Sequence, residues 1–532
     1  MPPKFPLSLL SVGLFSLAAA AASSPPNLLV IFTDDLDFEE INALAPHGDA
    51  ALAGVQPAAA GRPLTPHLDR LVGQSRLFTR FHVAATVCTP SRYALLTGQY
   101  CSRSTSLQKK HPVTGAACVE FNTDILPGQW HLARGLKAAG YTTGIVGKWH
   151  NTDIRGSPYH VEPPICDYTG KESGPQDPSL PENARRVRAA YEATVKHLRG
   201  DIGWDYVSSI YVNNANALGL PKPLWQHESN MEWFTAGAVK FLEQQPRDGP
   251  PFFIYFAPNI PHGGGGERFA AADPRATPEG LVDWHLGVQP SRADVLRRVR
   301  AAGIPPNFAW ATWLDDGIGV ILRKLEERGL AENTLVIFAS DQQSRGKWTC
   351  YQGSRVPLTV RWPGRVAPGS LDATLLSSVD FAPTLLELAG GQLPVPAEAI
   401  IDGRSFASLL TGGAEVVERP VFVEMGYGRA ILRGNWKYIA VRHPSPVLAR
   451  AKSTGQIPDL MGRFRVTNNG DRHRWPSYGA PDQLFELASD PLEQRNLAAD
   501  PAYAARLAEM RKLLTTAVAP LPHVFGEFKP AR

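Results

Sequence analysis

The chain has 532 residues, 43% of them hydrophobic and 20% charged, a globular composition long enough for a large core with a smaller unit beside it. Its 54 basic and 50 acidic residues nearly balance, and no uninterrupted basic run exceeds a pair such as Lys109-Lys110 or Arg297-Arg298. That excludes a nucleic-acid binder built on a basic patch.

The N-terminus, Met1-Pro2-Pro3-Lys4, leads into a mostly apolar stretch from Leu7 to Ala22 and then Ser23-Ser24. One positive charge, a short apolar run and small residues at its end predict a secretory signal peptide over residues 1–23, cleaved between Ala20 and Ser24. The run falls short of the ~20 residues a membrane helix needs, so no stable membrane span is expected. A secreted chain, or one in the lumen of the secretory or lysosomal pathway, follows. Its five cysteines are Cys88, Cys101, Cys118, Cys166 and Cys350, an odd number that leaves one unpaired or modified. If Cys88 is the odd one, Cys101 with Cys118 and Cys166 with Cys350 is the simplest pairing. There is no Asn-x-Ser/Thr sequon.

Asn27 to Thr33 is an apolar run of strand length, as for a strand covered on both faces, and it stops at Asp34-Asp35. Adjacent carboxylates there are either a solvated turn or oxygen ligands for a hard divalent ion. Thr65 to Leu71 begins a helix with Pro66 at its first position. In Val87-Cys88-Thr89-Pro90-Ser91-Arg92, Pro90 predicts the first turn of a helix, and a thiol beside unpaired helix donors and Arg92 sits in a field favouring negative charge. The residue is a candidate nucleophile; a buried structural thiol is the competing reading.

Trp130 to Ala139 has helical spacing, and the strand Tyr141 to Gly147 ends in Lys148-Trp149-His150. Pro181 to Arg199 and Glu228 to Gln245 predict helices. The strand Pro251 to Ala257 ends in Pro258-Asn259-Ile260-Pro261-His262 and four glycines, Gly263 to Gly266, which make either a substrate-contacting loop or a plain connection. A helix over Ala309 to Gly329 precedes the strand Thr334 to Ser340, which ends in Asp341-Gln342-Gln343. Beyond about Gly412 the texture changes to short runs of hairpin spacing (Pro420 to Met425, Arg429 to Arg433, Trp436 to Val441), a further strand at Gln483 to Leu487 and a final helix from Pro501 to Ala519. The expected fold is α/β, a large, mostly parallel sheet flanked by helices over residues 24–412, with a smaller antiparallel sheet and helix over 413–532.

Four strands thus end in Asp34-Asp35, Lys148/His150, His262 and Asp341-Gln342. In a parallel sheet, ligands bind beyond the carboxyl ends of the strands, so one edge collects all of them. Carboxylates and an amide suit Ca2+, or less well Mg2+, while lysines, histidines and an arginine suit an oxyanion.

The segments Asn-Leu-Leu-Val-Ile-Phe-Thr-Asp-Asp, Cys-Thr-Pro-Ser-Arg with Leu-Thr-Gly, Gly-Lys-Trp-His, Pro-Asn-Ile-Pro-His, and Asp341 with the Lys347 to Pro357 stretch together resemble the type I sulfatases of the alkaline-phosphatase-like superfamily. Asp482 to Leu487 and Asp490 to Leu497 resemble that family's C-terminal motif, so the likeness covers nearly the whole mature chain. It implies hydrolysis of a sulfate monoester to an alcohol and inorganic sulfate through a formylglycine-sulfate intermediate. A formylglycine-generating enzyme would convert Cys88 to formylglycine (3-oxoalanine) during maturation. The resemblance places Ca2+ on Asp34, Asp35, Asp341 and Gln342 with the modified Cys88, and stabilisation of its alkoxide on Arg92. Lys148, Lys347 and His262 would bind the sulfate of a sulfated small molecule or glycan, and His262 or Lys347 would protonate the leaving alcohol. His150 would assist release of sulfate. The chain departs from the family at Gln342-Gln343, where Asn or His and then Gly are usual, and at Tyr351-Gln352-Gly353-Ser354 in place of Tyr-Glu-Gly-Gly. It is also one residue short between Lys347 and Pro357. The alternatives are a phosphodiester or phosphonate monoester hydrolase of the same superfamily, or a catalytically inactive binding protein for sulfated glycans. Substrate choice is expected from residues 151–230 and the Gly263–Gly266 loop.

Overall fold

The computed structural model describes residues 25–48, 63–152, 177–212, 229–262, 267–390, 399–413, 417–464 and 474–531. The signal-peptide stretch, Cys166 and the Gly263–Gly266 loop lie outside them. Among the described residues no helix is long and apolar enough to cross a membrane.

Among the described residues the main sheet has eight strands: β1 (Asn27–Thr33), β2 (Arg76–Phe78), β3 (Thr142–Lys148), β4 (Tyr206–Tyr211), β5 (Phe252–Ala257), β6 (Thr334–Ser340), β7 (Leu358–Arg361) and β8 (Ser370–Asp372). Their order is β8-β2-β7-β6-β1-β5-β3-β4, and only β7 pairs antiparallel with its neighbours. The register sets Thr33 beside Ser340 and Ile31 beside Phe256. The ends of β6, β1, β5 and β3 therefore lie side by side on one edge.

Two cores flank this sheet because alternate side chains of a strand point to opposite faces. Leu28, Val30 and Phe32 join one core with Tyr93, Leu132 and Phe381, while Leu29 and Ile31 join the other with Leu68, Phe241 and Ile318. Helices on these faces include α1 (Pro66–Gly73), α2 (Cys88–Thr97), α3 (Leu132–Ala138), α4 (Met231–Glu243), α5 (Ala309–Glu327) and α6 (Phe381–Leu388). The α2, α3 and α6 helices cover the first face; α1, α4 and α5 cover the second.

A four-stranded antiparallel sheet follows, β9 (Val421–Met425), β10 (Gly428–Arg433), β11 (Trp436–Val441) and β12 (Asp482–Glu486), with α7 (Ala504–Val518) against it. One of its faces packs Phe422, Ile431 and Leu484 on Met510 and Leu514 of α7 and on Ala94 and Tyr100. The other packs Val423, Leu432 and Ile439 with Val87, Tyr351 and Trp475. The small sheet thus presses on the segments that carry Cys88 and Lys347.

The expected Cys101–Cys118 disulfide does not form: both are buried free thiols. Cys101 lies in the core on the α7 face of the small sheet, its thiol donating to the Pro90 carbonyl at 3.3 Å, whereas Cys118 lies in the core on the opposite face. The Cys166–Cys350 pairing involves a residue outside the described part.

Candidate active site

The α2 helix starts at Cys88, two residues before the position expected from Pro90. Pro90 remains within the first turn, where a missing N–H costs nothing. The helix ends at Gly98 with φ 66°, a left-handed stop suited to glycine. All ten residues of α2 are buried. Asn151, which sequence reasoning passed over, ties its first turn down by donating from Nδ2 to the carbonyls of Thr89 (2.7 Å) and Thr123 (3.1 Å).

On the sheet edge, β1 delivers Asp34 and Asp35. The Asp34 amide donates to the Ile260 carbonyl at 3.2 Å and the Asp341 amide to the Thr33 carbonyl at 3.0 Å, extending the sheet's pairing into the site. Asp35 turns out of line with φ 64°, and its amide donates to Asp341 Oδ1 at 3.1 Å. At the end of β3, the pairing register with β4 shifts between Val146 and Gly147. A Cβ on Gly147 would lie 2.2 Å from the Ala257 carbonyl oxygen, so only glycine passes there.

The side chains converge. Asp34, Asp35, Cys88 and Asp341 each offer a ligand atom, all within 4.8 Å of one another. The Cys88 thiol donates to Asp34 Oδ1 at 3.2 Å. Gln342 Nε2 donates to Cys88 Sγ at 3.2 Å and also to Asp35 Oδ1. Gln342 Oε1, although buried, has no hydrogen-bond partner among the described residues. Cations ring this floor: Lys148 Nζ lies 2.6 Å from Asp34 Oδ2, Lys347 Nζ 2.7 Å from Asp35 Oδ2, and Arg92 Nη2 2.8 Å from Asp341 Oδ2. His262 Nε2 is 3.7 Å from Asp35 Oδ2. His150 is buried with φ 59°, its Nδ1 without a hydrogen-bond partner among the described residues.

The charges explain one another. Burial alone would push Asp34 up, but Lys148, His262, Arg92 and Lys347 together hold its carboxyl well below the usual range. Burial and the Asp34 charge push Asp341 up to about 8. Burial would lower Lys148 and Lys347, yet Asp34 and Asp35 respectively keep both above the ordinary lysine value. Burial and Lys148 hold His150 well below its ordinary value. Burial and Asp34 push the Cys88 thiol up. The helix-terminus field that marked Cys88 as a candidate thiolate is outweighed by this burial and by a carboxylate at 3.2 Å.

A family model described as Sulfatase matches residues 26–391. The chain belongs to the sulfatase family. It is 27% identical to the N-acetylgalactosamine-6-O-sulfatase of Bacteroides thetaiotaomicron, over 93% of this chain and 94% of that protein. It is 28% identical to the N-acetylgalactosamine-6-sulfatase of Homo sapiens, over 77% of this chain and 70% of that protein. Its fold is shared with a solved protein held in complex with its substrate D-glucosamine-2-N,6-O-disulfate, with a TM-score of 0.58 at 16% identity over 93% and 98% of the two chains. The enzyme hydrolyses sulfate esters.

Every candidate site residue named from the sequence lies at this one edge. Besides Asn151, sequence reasoning missed two further supports. Tyr255, on β5, accepts from Arg92 Nη1 at 3.2 Å. Arg345 donates from Nε to Asp37 Oδ2 and from Nη2 to Glu39 Oε2, both at 2.9 Å, pinning the loop that carries Lys347 to the loop after β1. The segment Asp37-Phe38-Glu39-Glu40 carried the signal, an acidic run just beyond the strand that ends in Asp34-Asp35.

Proposed function

We propose that this sulfatase removes the sulfate of a sulfated carbohydrate, using Ca2+ and a formylglycine made from Cys88. The observation that carries this reading is the convergence of Asp34, Asp35 and Asp341 on Cys88, with Gln342 closing the group. Three buried carboxylates at this spacing repel, and burial together with the Asp34 charge raises Asp341; a divalent cation would relieve that repulsion. The orphaned Gln342 Oε1 fits as well, since a half-turn of the amide exchanges its oxygen with the NH2 now facing Asp35 and Cys88. Several carboxylates with an amide oxygen suit Ca2+ better than Mg2+, which keeps more of its waters. The ion would sit on Asp34, Asp35, Asp341, Gln342 and residue 88, where it would draw off charge from the sulfate ester.

A thiol pushed up in pKa is a poor nucleophile, which favours conversion of Cys88 by a formylglycine-generating enzyme. As an aldehyde hydrate, residue 88 would supply a hydroxyl oxygen to attack sulfur. Arg92, fixed between Asp341 and Tyr255, supports negative charge at that position. Lys148 and Lys347, held cationic by Asp34 and Asp35, bind the sulfate oxygens with His262. A lysine so firmly protonated is a weak acid, so the proton for the leaving oxygen is assigned to His262. His150, kept neutral by burial and Lys148, accepts a proton as sulfate departs.

The carbohydrate assignment rests on the relatives acting on N-acetylgalactosamine 6-sulfate. A secreted or luminal location after removal of residues 1–23 belongs to the same proposal. So does a division into a catalytic unit (24–412) and a smaller unit (413–532) that share two cores. The deciding experiment is the mass of the tryptic peptide Phe81–Arg92 from a host that carries out the conversion. Replacement of the Cys88 sulfur by an aldehyde oxygen is expected; an intact thiol throughout would remove the formylglycine mechanism.

A further inference from the structure

Above the charged floor, four side chains form a continuous row toward solvent. At its base the buried His150 imidazole lies 5.3 Å from the Phe121 ring. Phe121 meets Trp348 edge to face, with centroids 4.7 Å apart and planes at 89°. The Arg463 guanidinium lies 5.5 Å over the indole, and its Nε donates to Asp459 Oδ2 at 2.8 Å. Phe121 and Trp348 are both half-buried.

These residues come from four distant segments: the end of β3, the stretch after Cys118, the loop that carries Lys347, and the excursion between β11 and β12. Trp348 directly follows Lys347, whose ammonium reaches Asp35. Its amide donates to the Thr86 carbonyl at 3.0 Å, and its φ is 69°. A bulky residue in the left-handed region is strained and is kept where its surroundings hold it in place. The result is a corner of two aromatic rings, one touching the base of the anion pocket and the other adjoining a sulfate-binding lysine.

We propose that Phe121 and Trp348 form the wall against which the sugar ring bearing the sulfate ester packs, making them specificity-determining residues for a cyclic saccharide. The inference rests on the carbohydrate reading above. A pyranose ring has flat faces of C–H groups and a polar rim, so it gains from an aromatic surface beside a polar floor. An ester oxygen on that ring is thereby aimed at the pocket under His150 and Lys347, which is an orienting role.

The test compares wild type with Trp348→Ala, Trp348→Phe and Phe121→Ala on N-acetylgalactosamine 6-sulfate, with inhibition by inorganic sulfate measured alongside. Trp348→Ala and Phe121→Ala are each expected to raise KM for the sugar about tenfold, the size of a lost aromatic contact. Trp348→Phe should recover most of that loss, and the inhibition constant of inorganic sulfate should stay within about twofold in all three. An unchanged KM in both alanine variants, in an enzyme that turns over the sugar, overturns the wall alone. An inhibition constant that rises as much as KM also overturns it, because the rings then only support the anion pocket. Wild-type turnover of 4-nitrophenyl sulfate with none of N-acetylgalactosamine 6-sulfate or other monosulfated sugars overturns the carbohydrate reading together with the wall.

Discussion

Lys148 Nζ donates to Asp34 Oδ2 at 2.6 Å, and neither side chain has any solvent exposure. Their strands, β3 and β1, are separated by β5, a gap of roughly 10 Å that a long lysine side chain bridges. Removing one member leaves a buried charge with poorer compensation, here Arg92 at 3.8 Å. Lys148→Met should therefore destabilise the fold by about 3 kcal/mol and lower kcat/KM at least 100-fold. Urea unfolding and steady-state kinetics check the two effects; a variant as stable as wild type would mean that Arg92, the Cys88 thiol and the neighbouring cations satisfy Asp34 without Lys148.

Calcium should stabilise the protein independently of turnover. At about 100 times Kd a bound ion contributes roughly 2.7 kcal/mol, visible as a rise in Tm. Gln342→Ala should need at least about tenfold more Ca2+ for the same rise, since even supporting partners of a metal site matter at that level. An identical Ca2+ midpoint in the variant would remove Gln342 from the ligand set.

His131 offers a pH test away from the site. Burial, with Arg134, depresses its pKa to about 4 from an ordinary 6.5, against the Ile202 carbonyl, which accepts from Nε2 at 3.0 Å. Between these values the unfolded chain binds a proton that the folded chain refuses. The contribution to stability is complete above pH 6.5 and falls as pH drops toward 4, by up to about 3 kcal/mol. His131→Gln should flatten that part of the profile in urea unfolding at pH 7 and pH 5. Equal slopes for the two proteins would show that the loss arises at other groups.

The loop bearing Lys347 should depend on Arg345. With Asp37 and Glu39 released, Arg345→Ala is expected to lower kcat/KM about tenfold or more by loosening the lysine's position. Arg345→Lys should restore little, because one ammonium cannot reproduce a two-point fork. Full activity in Arg345→Ala would show that the Trp348 amide on Thr86 is sufficient to hold the loop.

Cys101 and Cys118 should both react with iodoacetamide in denaturant without reductant, as peptide mapping would show. Protection of the pair would restore the disulfide that the sequence suggested.

What the sequence determined by itself was the sheet edge. Asn27–Thr33, Phe252–Ala257 and Thr334–Ser340 are mostly apolar runs buried on both faces, Thr142–Lys148 is a buried strand with Ile145 and Val146 at its centre, and each leads into polar residues, a signal carried within each segment. Because the four strands are parallel neighbours, locating their ends also located Asp34, Lys148, His262 and Asp341 together. The tertiary structure alone decided what depends on partners far along the chain. Cys101 and Cys118 are 17 residues apart yet fall on opposite faces of a sheet built some 300 residues later. The protonation of Cys88 is governed by burial and by Asp34 rather than by its own helix. The row from Phe121 through Trp348 to Arg463 joins three segments with no common motif. Strand burial is written in consecutive residues; electrostatics and wall contacts are set by whichever side chains the fold brings within a few ångströms, and no local pattern encodes that choice.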